Sequence, residues 1–365
     1  MSTRYEGLTL IRHLCDAFGP SGCEDGVRRL IEEQLADLTG IQTVTDRLGN
    51  LIVRLPAPNG SANRDTRIML SAHMDEVGFM VTAITDEGYL KFDTVGGISP
   101  RVLCGRNVTV GDGETQTEGI IASKAIHHKP RSKRLDITPI TSLYMDIGAT
   151  SKAEASRAAE IGTYATFSSP FVCFGQDDKF IKAKALDDRL GCALLIELAR
   201  ALSQSPPDNA PDLYLCFTVR EEIGISGAAV AAQSVRPDFA IVLETTAVGD
   251  VPDADASARV ASLGEGGVIS LMDRSTIYDR DFIRFAMDTA KRHGIKAQIK
   301  KYVSGGNDAA HIHKSGVGVR TLALSAPTRY LHSPACVAHY DDYTAMLDLL
   351  LTMLGTWSYG KEPLC

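Results

Sequence analysis

The apolar run Ile68-Met69-Leu70-Ser71-Ala72 reads as a buried strand that delivers His73 to its end. The carboxylate pair Asp187-Asp188, placed against a helix, follows 114 residues after that histidine. The stretch between has a texture of its own. Short β-rich pieces at 78–82, 89–92, 107–110, 119–121 and 142–146 alternate with glycine turns. Many short strands with glycine punctuation predict a small barrel or sandwich. On either side, helices and buried strands alternate, the signature of an α/β domain. If His73 and Asp187 serve one site, residues 77–169 form an inserted β-rich domain. The catalytic domain is then built from 1–76 and 170–365.

The opening segment reads as helix up to Phe18. Pro20-Ser21-Gly22 breaks it, and Ser21 with Glu24 forms a capping-box pattern for a second helix through about Leu38. Strands are expected at 41–45 and 50–55 across the Leu48-Gly49-Asn50 turn. Beyond the insertion, helices are expected at 190–203, 225–232, 281–293 and 342–354. Strands are expected at 213–219, 239–243, 297–302 and 321–325.

Each of these buried runs brings a metal-ligand type of side chain. His73 lies in Ala72-His73-Met74-Asp75, and Asp187 in Leu186-Asp187-Asp188-Arg189. Glu221-Glu222 follow one strand, Glu244 closes another, and His332 sits in Tyr330-Leu331-His332-Ser333-Pro334. Taken singly, each has a plain reading: a structural histidine, a helix N-cap, an exposed strand-end glutamate, a loop histidine. Taken together, two imidazoles and three carboxylates (His73, Asp187, Glu222, Glu244, His332) suit a pair of borderline divalent cations, one carboxylate bridging. Strand C-terminal ends are also where open α/β sheets bind ligands. Asp75 is placed to accept the other ring N–H of His73 and set its tautomer. The spare Glu221 is the proton acceptor that a metal-activated water needs. The set reads as metal-assisted hydrolysis. No GxSxG elbow supports a serine mechanism, and the Gly305-Gly306 turn lacks the continuation of a phosphate loop.

Length and charge narrow the partners. A chain of 365 residues favours two domains. A net charge of −7 argues against a nucleic-acid or anionic-membrane surface. No apolar run is long enough to span a membrane, and the first residues lack the apolar stretch of a signal peptide. The eight cysteines carry no CxxC pair and sit mostly in apolar surroundings, which fits a reducing cytoplasm. The basic run from Lys124 to Arg134 reads as a solvated loop of the insertion.

The motifs as a set resemble the glutamyl-aminopeptidase-like family of tetrahedral metalloaminopeptidases, within the zinc-exopeptidase superfamily. The resemblance runs through Pro20-Ser21-Gly22, Ala72-His73-Met74-Asp75-Glu76-Val77-Gly78, Asp146-Ile147-Gly148-Ala149 and Leu186-Asp187-Asp188-Arg189. It continues through Glu221-Glu222-Ile223-Gly224, Gly305-Gly306 with Asp308-Ala309, and the segment 327–334. It implies a zinc-exopeptidase-like α/β catalytic domain, a mixed sheet flanked by helices, with an inserted small β-barrel-like dimerisation domain. It implies one cation held by His73, Asp187 and Glu244 and another by Asp187, Glu222 and His332, with zinc or cobalt favoured over manganese. It further implies Glu221 as general acid/base, a cis Asp187-Asp188 peptide, and homo-oligomers up to a tetrahedral dodecamer. Two positions depart from the pattern: Glu244 stands where many members carry Asp, and Asn307 where Thr or Ser is usual.

The reading is a dinuclear aminopeptidase that trims the N-termini of peptides. Its rivals are a related metal-dependent deacylase or carboxypeptidase, or a catalytically idle scaffold of the same fold. Those related hydrolases often insert their extra domain after the glutamate ligand, whereas here it precedes Asp187.

Overall fold

The computed structural model describes residues 2–112, 115–128, 130–252 and 259–358. The first segment holds helices α1 (Ser2–Asp16) and α2 (Asp25–Leu35) and strands β1 (Gln42–Thr45), β2 (Leu51–Leu55) and β3 (Arg67–His73). Next come β4 (Gly78–Ile84), β5 (Leu90–Val95), β6 (Asn107–Val110), β7 (Thr117–Ala122), β8 (Tyr144–Asp146), α3 (Lys152–Ala158) and β9 (Tyr164–Phe167). The chain returns through β10 (Val172–Phe174), β11 (Phe180–Ala183), α4 (Leu186–Gln204), β12 (Asp212–Thr218), α5 (Ser226–Val235), β13 (Phe239–Ala247) and β14 (Gly267–Ile269). It ends with α6 (Arg280–His293), β15 (Ala297–Ile299), α7 (Ala309–Ile312), β16 (Arg320–Arg329), β17 (Cys336–His339) and α8 (Tyr340–Gly355).

One mixed sheet runs β1-β2-β12-β3-β13-β16-β17-β11-β10, with β14 and β15 attached beside β16. Its centre, β12-β3-β13-β16, is parallel. The burial pattern of these strands is continuous, as expected where helices cover both faces. Register places the ligand candidates at one end. Thr218 pairs with His73, Val242 with Ser71, and Glu244 with Ser325. His73 and Glu244 are therefore level on neighbouring strands. Helix α4 is buried along most of its length and packs against β3, β13, α1 and α8.

The strands of the intervening segment close into a barrel, β4-β5-β8-β7-β6-β9. It has its own apolar core, in which the Phe79 ring meets Phe92 and Phe167 edge-on at 5.2 and 5.1 Å. Where the chain leaves β3 for the barrel, Glu76 is buried and held by Lys184 at 2.6 Å and by the Thr166 hydroxyl at 2.9 Å. Its neighbour must be Gly78, because a Cβ there would lie 2.8 Å from both the Ala165 carbonyl oxygen and Pro20.

Several expectations change. The capping box does not form: Glu24 makes no side-chain cap, and the Ser21 hydroxyl donates to Asp75 instead. A tertiary carboxylate outcompetes the local backbone donor. Strand β13 continues past Leu243 to Ala247, so Glu244 lies within it and does not end it. The short elements α3, β10, β11, β14 and β17 went unread because three to seven residues carry too little periodicity. In the basic run, Lys124, His127, His128 and Arg134 are exposed, and Lys129 lies outside the described residues.

Candidate metal centre

The five ligand candidates converge. His73 Nε2 lies 3.3 Å from Asp187 Oδ1 and 3.5 Å from Glu244 Oε1. His332 Nε2 lies 3.5 Å from Asp187 Oδ2 and 3.2 Å from Glu222 Oε2. Asp187 thus turns one oxygen to each imidazole, the disposition of a shared carboxylate. The Asp187-Asp188 peptide is cis, as the resemblance implies. Two triads of donor atoms lie within 4.8 Å of one another: His73 with Asp187 and Glu222, and His73 with Asp188 and Glu244. The second triad names Asp188, but both Asp188 oxygens already accept backbone N–H groups, from His73 at 3.3 Å and Gly191 at 3.0 Å. Asp188 supports the loop, and Asp187 faces the imidazoles.

Each imidazole is oriented from behind. His73 Nδ1 meets the backbone carbonyl of Asp75 at 3.0 Å, closer than the Asp75 carboxylate at 3.5 Å. The expected carboxylate role therefore passes to a main-chain oxygen, which fixes the ring by the same logic. The Asp75 carboxylate instead accepts the N–H groups of Glu221 at 3.0 Å and Glu222 at 3.1 Å, plus the Ser21 hydroxyl at 2.5 Å. His332 Nδ1 meets the Gly97 carbonyl at 2.7 Å, and Gly97 belongs to the barrel segment. Sequence reasoning missed Gly97 and Glu24. The latter accepts N–H groups from Gly22 at 2.8 Å and Arg220 at 3.1 Å. The signal for Glu24 was present in Ser21-Gly22-Cys23-Glu24 but pointed to a helix cap.

Electrostatics agree with a cation site. Burial raises the carboxyls of Glu222 and Glu244 to about 8, with Asp187 adding to each and the imidazoles opposing. Burial lowers and neighbouring carboxylates raise His332, which ends at about 9. His73 stands well above the usual imidazole value: burial opposes this, and Glu244, Asp187 and Asp75 outweigh it. Glu221 is raised well above the carboxylate range by burial, then by Glu244, Asp308 and Glu222, with His73 opposing. This is crowded negative charge that protons neutralise here and that divalent cations would neutralise instead. Glu244 Oε2 is buried and without a hydrogen-bond partner in the structure. An orphaned carboxylate oxygen beside two imidazoles fits a cation.

The site opens into a cavity of about 540 Å³ between the sheet and the barrel loop that carries Gly97, Ser99 and Val102. A larger cavity of about 950 Å³, around Arg236, Asp238 and Arg320, lies at the opposite end of the parallel strands and touches none of these residues.

A mixed sheet with two imidazoles and three carboxylates gathered at its strand ends, and a barrel inserted before the shared aspartate, defines the metallo-exopeptidase class. A profile of the M42 glutamyl aminopeptidase family matches residues 49–349. The lysyl aminopeptidase of Pyrococcus furiosus is 30% identical over 352 residues, 94% of this chain and 96% of that protein. The TET aminopeptidase structure from Thaumarchaeota archaeon SCGC AB-539-E09 superposes with a TM-score of 0.92 at 32% identity, covering 97% of each chain. The TET1 peptidase of Pyrococcus horikoshii, which can assemble into a tetrahedron or a large octahedral shell, does so with a TM-score of 0.81 at 33% identity, covering 96% and 99%. The chain belongs to the M42 glutamyl aminopeptidase family, and it is a peptide hydrolase.

Proposed function

We propose that the chain is a dinuclear aminopeptidase that releases N-terminal residues from peptides. The observation that carries this reading is the Asp187 carboxylate, whose two oxygens face His73 and His332 separately. In this reading His73, Asp187 and Glu244 hold one divalent cation, and Asp187, Glu222 and His332 the other. Zinc or cobalt suits the mixed nitrogen and oxygen donors, with manganese a third choice. Such cations polarise the scissile carbonyl and acidify the attacking water.

The chain's own residues supply the rest. Glu221 lines the cavity beside the ligands and makes no ion pair with either imidazole. Its carboxylate is free to take a proton from water and return it to the leaving amine. Asp75 holds the Glu221 and Glu222 amides side by side, so the base and the ligand keep a fixed relation. The barrel loop narrows the mouth and favours short peptides.

The separate core of the barrel supports treating residues 77–169 as a domain of its own. We assign it the contacts of a homo-oligomer, with the tetrahedral dodecamer as the expected form. No described helix is long and apolar enough to cross a membrane. Cytoplasmic peptides are the substrates we propose.

The test is a comparison of the metal-loaded protein on aminoacyl, N-acetylated and C-terminally directed substrates. Release from free N-termini only is expected. Cleavage of the blocked substrates instead supports the deacylase or carboxypeptidase reading, and no turnover of any supports the idle scaffold.

A further inference from the structure

The cavity has a charged wall that the metal chemistry leaves unused. Lys300 lies one residue beyond β15, and its backbone N–H donates to the Ile269 carbonyl at 2.8 Å, which fixes its stem against the sheet. Its side chain lines the cavity together with Glu244, Thr245, Asp273 and Ser304. The ammonium donates to the Ser304 carbonyl at 2.9 Å, and no other side-chain bond is made among the described residues. An ammonium carries three donors, so two remain for a ligand.

Asp273, the opposite charge on the same wall, is not free in this way. One of its oxygens accepts the N–H groups of Ser275 and Thr276, both at 2.7 Å. The other accepts the Tyr278 hydroxyl at 2.5 Å, and Asn307 in turn donates to that hydroxyl at 3.0 Å. Asp273 is thereby committed to its own loop. Thr245 points the other way in this accounting: its hydroxyl is buried and unpartnered, immediately after the ligand Glu244.

We propose that this wall receives the side chain of the substrate's first residue, and that Lys300 selects a carboxylate there: an N-terminal glutamate or aspartate. The inference rests on the aminopeptidase reading and specifies its substrate class. A carboxylate would take up the two spare ammonium donors and lie within reach of the Thr245 hydroxyl. An apolar side chain would leave a half-buried ammonium facing no partner. A basic one would set two cations against each other. Burial loosens the ammonium's hold on its proton, while Asp273 and Glu244 strengthen it. An incoming carboxylate adds to that second effect.

The test uses the metal-loaded protein on glutamyl-, aspartyl-, leucyl- and lysyl-p-nitroanilide. Hydrogen bonds to charged groups are worth enough to give the acidic substrates an advantage in kcat/KM of about 10–100-fold over leucyl. Lys300→Met should collapse the glutamyl-to-leucyl ratio by about tenfold or more, Lys300→Arg should keep the ratio above unity, and Lys300→Glu should raise the lysyl-to-glutamyl ratio above that of the unmodified protein. Free L-glutamate should also inhibit the unmodified protein more strongly than Lys300→Met. Leucyl turnover with no acidic preference overturns the inference and leaves the aminopeptidase reading standing. So does a Lys300→Met variant that lowers all substrates equally. Failure to release any residue from any of the four overturns both.

Discussion

Glu24 accepts the backbone N–H of Arg220 at 3.1 Å across 196 residues of chain. Arg220 is in the left-handed region, with φ 57°. The next two N–H groups, of Glu221 and Glu222, are taken by the two oxygens of Asp75. Three consecutive amides are thus anchored by two buried carboxylates from the first 75 residues. The glutamate pair is aimed by its main chain, which leaves both side chains free for chemistry.

Replacing Glu24 with Ala removes the acceptor of the Gly22 and Arg220 N–H groups. Leaving buried donors unpaired costs about 1–3 kcal/mol each. The urea midpoint and kcat should both fall, with KM less affected, and Glu24→Gln should recover much of both because its amide oxygen still accepts. Unaltered stability and turnover in the Ala variant would show that the anchor is dispensable.

The two glutamates should separate cleanly. Glu221→Gln is expected to bind both cations yet lose about 10²–10⁴-fold in kcat, the usual size of a general-base contribution. Glu222→Gln should lose metal, with activity partly restored by excess cation. Metal analysis beside kinetics decides this. If Glu221→Gln turns over normally, or is the variant that loses metal, the assigned roles are reversed or wrong.

Asp187→Asn tests the shared ligand. A cation that binds only the folded chain stabilises it by about 2.7 kcal/mol at a concentration 100 times Kd. Adding zinc or cobalt to chelator-treated protein should raise Tm in a concentration-dependent way, and Asp187→Asn should blunt the response at both sites. A variant that responds like the unmodified chain would rule out a bridging carboxylate.

A pH effect is expected away from the site. Asp342 accepts the N–H groups of Gly264 at 2.8 Å and Gly266 at 2.6 Å. Burial nevertheless pushes its carboxyl up to about 7, those two bonds opposing. A folded-state value above the unfolded one, near 3.9, means that the folded chain binds the proton more tightly. That stabilisation is complete below the unfolded value and is lost as pH rises through about 7. Asparagine cannot ionise, so Asp342→Asn should gain relative to the unmodified chain between about pH 5 and about pH 8. Urea midpoints at both values measure the gap, and a constant gap would contradict the assignment.

The ligands were legible because each ends or interrupts an apolar run: Ile68–Ala72 before His73 and Phe239–Leu243 before Glu244. Burial of a strand and a polar residue at its end are both local facts of sequence. The barrel was legible for a similar reason, since its glycine turns recur at short intervals. What escaped were contacts made across long separations. Ser21 and Glu24 look like a helix cap because the eye sees four adjacent residues, whereas Asp75 and Arg220 compete for them only once the chain is folded. The Asp75 carboxylate was assigned to the His73 ring for the same reason. Its backbone carbonyl does that work, and no sequence pattern records where a main-chain oxygen points.

The bond from His332 Nδ1 to the Gly97 carbonyl has a bearing on how this chain can be cut or rebuilt. A shortened version that joins β3 directly to β10 would keep every proposed ligand and Glu221. It would also strip the only described main-chain acceptor from one imidazole and let that ring swing. A loop graft between two such enzymes would meet the same obstacle unless residues 96–102 travelled with it. The barrel is therefore not spare cargo for the protein engineer. It is the fixture against which half of the site is trued.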